Sequence, residues 1–111
     1  MGIEIQDKNG YKLYTYTGST VQDRNGHTIL RISGNYVQDK NGNTLYIFTG
    51  NEIKDRNGGT LYRFTGSEIQ DRNGSKLYKY TGTALQDRNG FILYRLTAPV
   101  PPVIFVALGL I

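Results

Sequence analysis

The chain contains no cysteine and no tryptophan, and only one methionine and one histidine. Without cysteine, neither disulfides nor thiolate metal sites can staple the fold. The single histidine, His27, takes a variable slot, and the four serines lie in or beside the turns or at a strand end, so no Ser–His–Asp grouping is expected. All three prolines lie between positions 99 and 102, so nothing before them interrupts a backbone hydrogen-bond ladder. No apolar run approaches the ~20 residues that span a bilayer as a helix. No charged-then-apolar segment of the secretion-signal kind precedes the first repeat. Charge of one sign is also modest: the net charge is +4 with a pI near 9.4, enough for weak attraction to polyanions. At 111 residues this is one small domain or a piece of a longer array, with room for a thin core.

What the chain does have is repetition. Asp7, Asp23, Asp39, Asp55, Asp71 and Asp87 are spaced 16 apart without an insertion. Aligned on them, each unit reads as in IQDRNGSKLYKYTG (Ile69 to Gly82), and Asn-Gly occurs in all six. Two short apolar runs, rich in Leu, Ile, Val, Tyr, Phe and Thr, flank each Asn-Gly, which is strand chemistry. A glycine about every eight residues leaves no helical period. These features predict an all-β array over residues 1–98 and a distinct tail over residues 99–111.

Asp-(Lys/Arg)-Asn-Gly has a complete account as a corner. Asp accepts backbone N–H bonds within a type I turn, the cation points to water, and Gly supplies the positive φ that closes a three-residue hairpin loop. Gly-Ser, Gly-Asn and Gly-Thr pairs such as Gly18-Ser19, Gly50-Asn51 and Gly82-Thr83 read as a second turn of the II′ kind. The prediction is an antiparallel β-hairpin meander of about twelve strands, forming a twisted or curling sheet. Strand parity adds a question. A three-residue loop would pair Ile69 with Leu77, and a two-residue Gly66-Ser67 loop would pair Phe64 with Ile69. Because side chains alternate, the Leu face would then swap sides at each repeat, giving four-stranded units of two repeats with two apolar faces. A three-residue loop at Thr-Gly would instead gather Ile and Leu on one face and Tyr, Phe, Glu and Gln on the other. The alternative architecture is a parallel β-solenoid, which would stack six Asp and six Lys/Arg in like-charged columns.

The tail, APVPPVIFVALGLI, is Pro-rich and then apolar. It is expected to be a covering strand or an interface segment, the remaining reading being a truncated transmembrane segment.

Candidate sites are few. His27 occupies a slot that holds Tyr11, Asn43, Gly59, Ser75 and Phe91 elsewhere, which suits a variable surface position. Asp-x-Asn-Gly overlaps the start of calcium loops, but a Lys or Arg always follows the Asp, so no metal and no cofactor are expected. The tip cations each neighbour an Asp, which argues against a nucleic-acid or other polyanion surface. Tyr14, Tyr46, Tyr62, Tyr78 and Tyr94 share one slot, with Tyr16, Phe48, Phe64 and Tyr80 two residues on. This row is the candidate binding surface, suited to stacking on sugars; the competing reading makes the rings the core of one sheet face.

The repeat unit resembles the Tyr-Asp (YD) repeats of bacterial toxins and the Trp-Gly repeats, short tandem β-hairpin repeats of bacterial surface and secreted proteins. The likeness lies in the D-x-x-G or D-x-N-G corner followed by a strand. The chain lacks the Tyr before Asp of the first class, the Trp-Gly of the second and the aromatic cage of choline-binding repeats. The resemblance implies a structural or adhesive role in an exported or cell-surface bacterial protein, and no site residues. The functional expectation is a non-enzymatic structural or protein-interaction module that self-associates or binds another protein. The alternative is a carbohydrate-binding, lectin-like module using the repeated Tyr.

Overall fold

In a computed structural model describing residues 2–111, each repeat forms one hairpin. The strands are β1 (Ile3–Asp7), β2 (Lys12–Tyr16), β3 (Thr20–Asp23), β4 (Thr28–Ser33), β5 (Tyr36–Asp39) and β6 (Thr44–Phe48). They continue as β7 (Glu52–Asp55), β8 (Thr60–Phe64), β9 (Glu68–Asp71), β10 (Lys76–Tyr80), β11 (Ala84–Asp87) and β12 (Ile92–Leu96), followed by α1 (Val103–Ala107). Every strand pairs antiparallel with its sequence neighbours, and β1 pairs with β12, so the meander closes into a twelve-stranded barrel. The predicted all-β hairpin meander is what forms; no strand pairs in parallel, which removes the solenoid. Closure goes beyond the curling sheet expected.

The corners form as their residues dictate. In all six, the Gly N–H donates to the Asp carbonyl oxygen at 3.0 Å, and the Gly φ lies between 88° and 93°. At the opposite end, Phe64 faces Ile69 across the two-residue Gly66-Ser67 loop, as expected. The hairpin pairing differs. Ile69 faces Tyr78, not Leu77, because the register shifts by one between Gln70–Lys76 and Ile69–Tyr78. The same bulge recurs at Leu13, Ile29, Leu45, Leu61 and Leu93. A bulge adds a residue to one strand and so restores parity: first-strand apolar residues and second-strand aromatics now point the same way. The face swap disappears, and the structural unit is one 16-residue repeat, not two. Each bulge also bends and twists its strand, which curls the sheet toward closure.

Inward positions are therefore apolar all round. Ile5, Val21, Val37, Ile53, Ile69 and Leu85 are fully buried, flanked by the half-buried Tyr14, Tyr46, Tyr62, Tyr78 and Tyr94 and by Tyr16, Ile32, Phe48, Phe64 and Tyr80. Outward positions carry Glu4, Gln6, Thr15, Gln22, Arg31, Glu52, Arg63 and Lys79, opposite one another across the ladders. The molecule measures 35 × 35 × 18 Å, a short wide ring.

An eight-stranded barrel is just filled by its own side chains, so twelve strands leave a lumen. The tail fills it. Tyr80 Oη donates to the Val100 carbonyl oxygen at 2.7 Å and accepts from the Val100 N–H at 2.8 Å, fixing the entry point. Val103, Ile104 and Phe105 are fully buried, and Phe105 meets the Tyr80 ring edge-on at 6.0 Å. Ala107 and Leu110 then reach the other mouth, beside the corner residues of two hairpins. The expected covering strand is thus a one-turn helix inside the barrel, and its apolar surface is enclosed. It cannot be a strand there because the closed ring has no free edge, whereas a helix satisfies its own N–H and C=O groups. Gly109, at φ 74°, ends it, with Leu110 N–H donating to the Phe105 carbonyl oxygen at 2.9 Å and Gly109 N–H to that of Val106 at 3.0 Å.

Replacing Phe105 with Ala opens a cavity at the centre of the barrel. A loss of about 3–5 kcal/mol in unfolding free energy is expected from urea denaturation. A loss below about 1 kcal/mol would show that the plug does not support the ring.

Candidate functional site

The corner residues form one rim of the ring, and this is where polar chemistry concentrates. At each corner a single carboxylate oxygen, Oδ1, accepts two backbone N–H bonds. Asp71 Oδ1, for instance, takes those of Asn73 at 2.8 Å and Ser75 at 3.0 Å. The second oxygen is treated differently from corner to corner. Asp39 Oδ2 accepts from Asn43 Nδ2 at 3.1 Å, and His27 Nδ1 lies 3.5 Å from Asp23 Oδ2. Among the described residues, Oδ2 of Asp7, Asp55, Asp71 and Asp87 has no such partner.

The five tyrosines of the candidate row lie just inside this rim. Each sits directly across a strand pair from the corner Asp of the next repeat: Tyr14 from Asp23, Tyr46 from Asp55, Tyr62 from Asp71, Tyr78 from Asp87 and Tyr94 from Asp7. The last pair spans the junction of the chain's two ends. In repeat two the slot holds Leu30, opposite Asp39. The rings are half-buried and pack against the core. The row is therefore brought together as a ring, but not as a fully open surface.

Between neighbouring hairpins the rim is cleft. One cleft of about 340 Å³ is lined by Leu13, Tyr14, Asp23, Arg24, Asn25 and Leu110. Another, of about 440 Å³, is lined by Leu45, Tyr46, Asp55, Arg56, Asn57, Leu61 and Ala107. These are the same positions two repeats apart: bulge leucine, row tyrosine, and the Asp-Arg-Asn of the following corner. Both volumes fall in the lower range of small-ligand sites. Arg56 and Asn57 were legible as turn residues, but their convergence with Tyr46 was not, because it depends on which hairpins become neighbours. At the opposite mouth, where the tail enters, a cleft of about 420 Å³ is lined by Gly50, Asn51, Phe64, Thr65, Gly66, Tyr80 and Pro102.

Outside the rim, three strand arginines are tied to the wall. Arg31 Nε donates to the Lys40 carbonyl oxygen at 3.1 Å, Arg63 to that of Arg72 at 3.0 Å, and Arg95 to that of Lys8 at 2.9 Å. Arg63 also lies 3.6 Å from Glu52. Among the described residues, no three His, Cys, Asp or Glu side chains come together.

The backbone N–H of His27 holds the Asp23 carboxyl below its usual range, helped by Asn25 and the imidazole. Asp39 is lowered in the same way, by the backbone N–H and side chain of Asn43. A carboxyl with a lowered folded pKa stabilises the fold above its unfolded value, near 3.8, and that contribution is lost as pH falls through the lowered folded value. The urea midpoint is therefore expected to fall on acidification below about pH 4, and Asp23→Asn with Asp39→Asn should flatten the fall. An unchanged acid limb in the double variant would contradict this assignment.

Comparison of the chain with protein-family models, with curated proteins and with solved structures found no match.

Proposed function

We propose that the protein is a non-enzymatic binding module that offers at least two equivalent carbohydrate-binding clefts on one rim of a rigid ring. The observation that carries this reading is the recurrence of one cleft, lined by a row tyrosine together with the Asp, Arg and Asn of the next corner. Carboxylate, amide and guanidinium groups are respectively acceptor, mixed and donor, the set that sugar hydroxyls require, and an aromatic ring supplies an apolar face. An active site would be a single asymmetric constellation, whereas these groups recur with the repeat. Copies on one rigid support also raise avidity for a repetitive ligand without any new contact.

Two observations move the reading away from self-association, the role the sequence first suggested. The sheet edges are paired to each other, and the apolar tail lies in the lumen. A polyanion surface fits less well, because each tip cation adjoins an Asp and Arg31, Arg63 and Arg95 are tied to backbone carbonyls. The outward wall is polar, unlike the apolar band of a lipid-facing barrel.

The test is a panel of immobilised gluco-, xylo-, manno-, galacto- and N-acetylglucosamine oligosaccharides. Binding to at least one member is expected, with more than one site per chain by calorimetry. No binding across the panel would overturn the reading.

A further inference from the structure

Ring closure makes neighbours of two residues from opposite ends of the chain. Tyr11 and Phe91 both follow the corner glycine, in the first and last repeats, and β1 pairs with β12. Their corners are therefore adjacent on the rim, two strand spacings or about 10 Å apart. Both rings stand in solvent, with Tyr11 71% and Phe91 70% exposed, the highest exposures among the large apolar side chains. Around the rest of the rim the same slot holds His27, Asn43, Gly59 and Ser75, so the exposed benzene rings are confined to one arc.

The slot has a defined neighbour. His27 and Asn43 both approach Oδ2 of their own corner Asp, and a Cβ at Gly59 would lie 3.1 Å from Asp55 Oδ2. A side chain here emerges beside the corner carboxylate. Where it is Asn43, it caps the free oxygen; where it is Tyr11 or Phe91, that oxygen is left to solvent at Asp7 and Asp87. The arc thus presents two exposed rings, each beside an uncapped acceptor. Asp7, on the strand between them, faces the half-buried Tyr94 of β12.

We propose that this arc, Tyr11 and Phe91 with Asp7 and Asp87, is the principal carbohydrate subsite, and that it takes a neutral oligosaccharide rather than a monosaccharide. The proposal rests on the reading of the rim as glycan-binding and says which part of it dominates. Ring faces stack on the apolar faces of sugars, and the carboxylate oxygens, which only accept, match hydroxyl donors. Lys8 and Arg88 adjoin the two carboxylates, so the arc carries no net charge and is matched to a neutral chain. The two corners that carry the rings are about 10 Å apart, more than one sugar spans, so full engagement needs a chain. Aromatics as exposed as these carry little of the folding energy, so they can be removed without harming the barrel.

The test uses the full chain and the soluble forms of the same oligosaccharide panel, by titration calorimetry. Tyr11→Ala and Phe91→Ala are each expected to weaken binding roughly tenfold, and the double variant to lose most of it. Asn43→Ala and Ser75→Ala should stay within about twofold, and melting temperatures within about 2 °C of the parent. Affinity should rise from the monosaccharide to the tetramer of the sugar that binds. Undiminished binding by the double variant would overturn the arc while leaving the rim reading in place. Failure of the parent to bind any member would overturn both. If light scattering instead shows a dimer that the double variant abolishes, the arc is a self-contact and the proposal fails.

Discussion

Each hairpin carries one extra residue in its returning strand, and the rest of the architecture depends on it. Without the bulge at Leu77, Ile69 would face Leu77 and Tyr78 would point to the other side. The inner face would then alternate between repeats, and no single apolar surface would exist to close around. With it, three side chains per repeat point inward in the same order, and the added twist bends the sheet until β12 meets β1. The bulge leucines themselves become rim residues, where Leu13, Leu45 and Leu61 line the clefts.

Closure succeeds because the junction of the chain's ends reproduces an ordinary repeat boundary. Within the chain, Glu52 N–H donates to Thr49 Oγ1 at 3.1 Å and Arg63 Nε to the Arg72 carbonyl. At the junction, Glu4 N–H donates to Thr97 Oγ1 at 2.9 Å and Arg95 Nε to the Lys8 carbonyl. The same side-chain and backbone bonds thus form without a peptide connection. Six hairpins are the number at which this matching occurs, and a closed ring leaves no edge on which another chain could add a strand. The cost is a lumen wider than its own side chains fill, and the tail occupies it.

Much of this was legible in the residues. Asp71, Asn73 and Gly74 specify the corner through bonds within five residues, and the corner forms in all six copies. The two-residue length of the loop at Gly66-Ser67 was legible too, but the II′ turn expected at Gly50-Asn51 does not form, because neither Gly50 nor Gly66 takes the positive φ that type requires. The bulge left a mark too: the adjacent apolar residues Leu77 and Tyr78 break the strict alternation of a half-buried strand. That mark does not say which of the two faces inward, because the choice depends on the strand opposite. The shared slot of the five tyrosines was legible from the period, yet their Asp partners belong to the following repeat, and Tyr94 finds its partner at Asp7 across the whole chain.

By itself, then, the sequence determined strands, corners and their spacing, because these follow from φ preferences, side-chain-to-backbone bonds and a period of 16. Tertiary structure decided the rest. Val103 to Val106 is a run of strong strand formers, yet it is helical, since a closed barrel leaves it no partner strand and an apolar lumen leaves it no water. Tyr11 and Phe91 are surface residues of unrelated position until closure sets their corners side by side. Local bonding is written residue by residue, whereas neighbours across a ring exist only once the ring has closed.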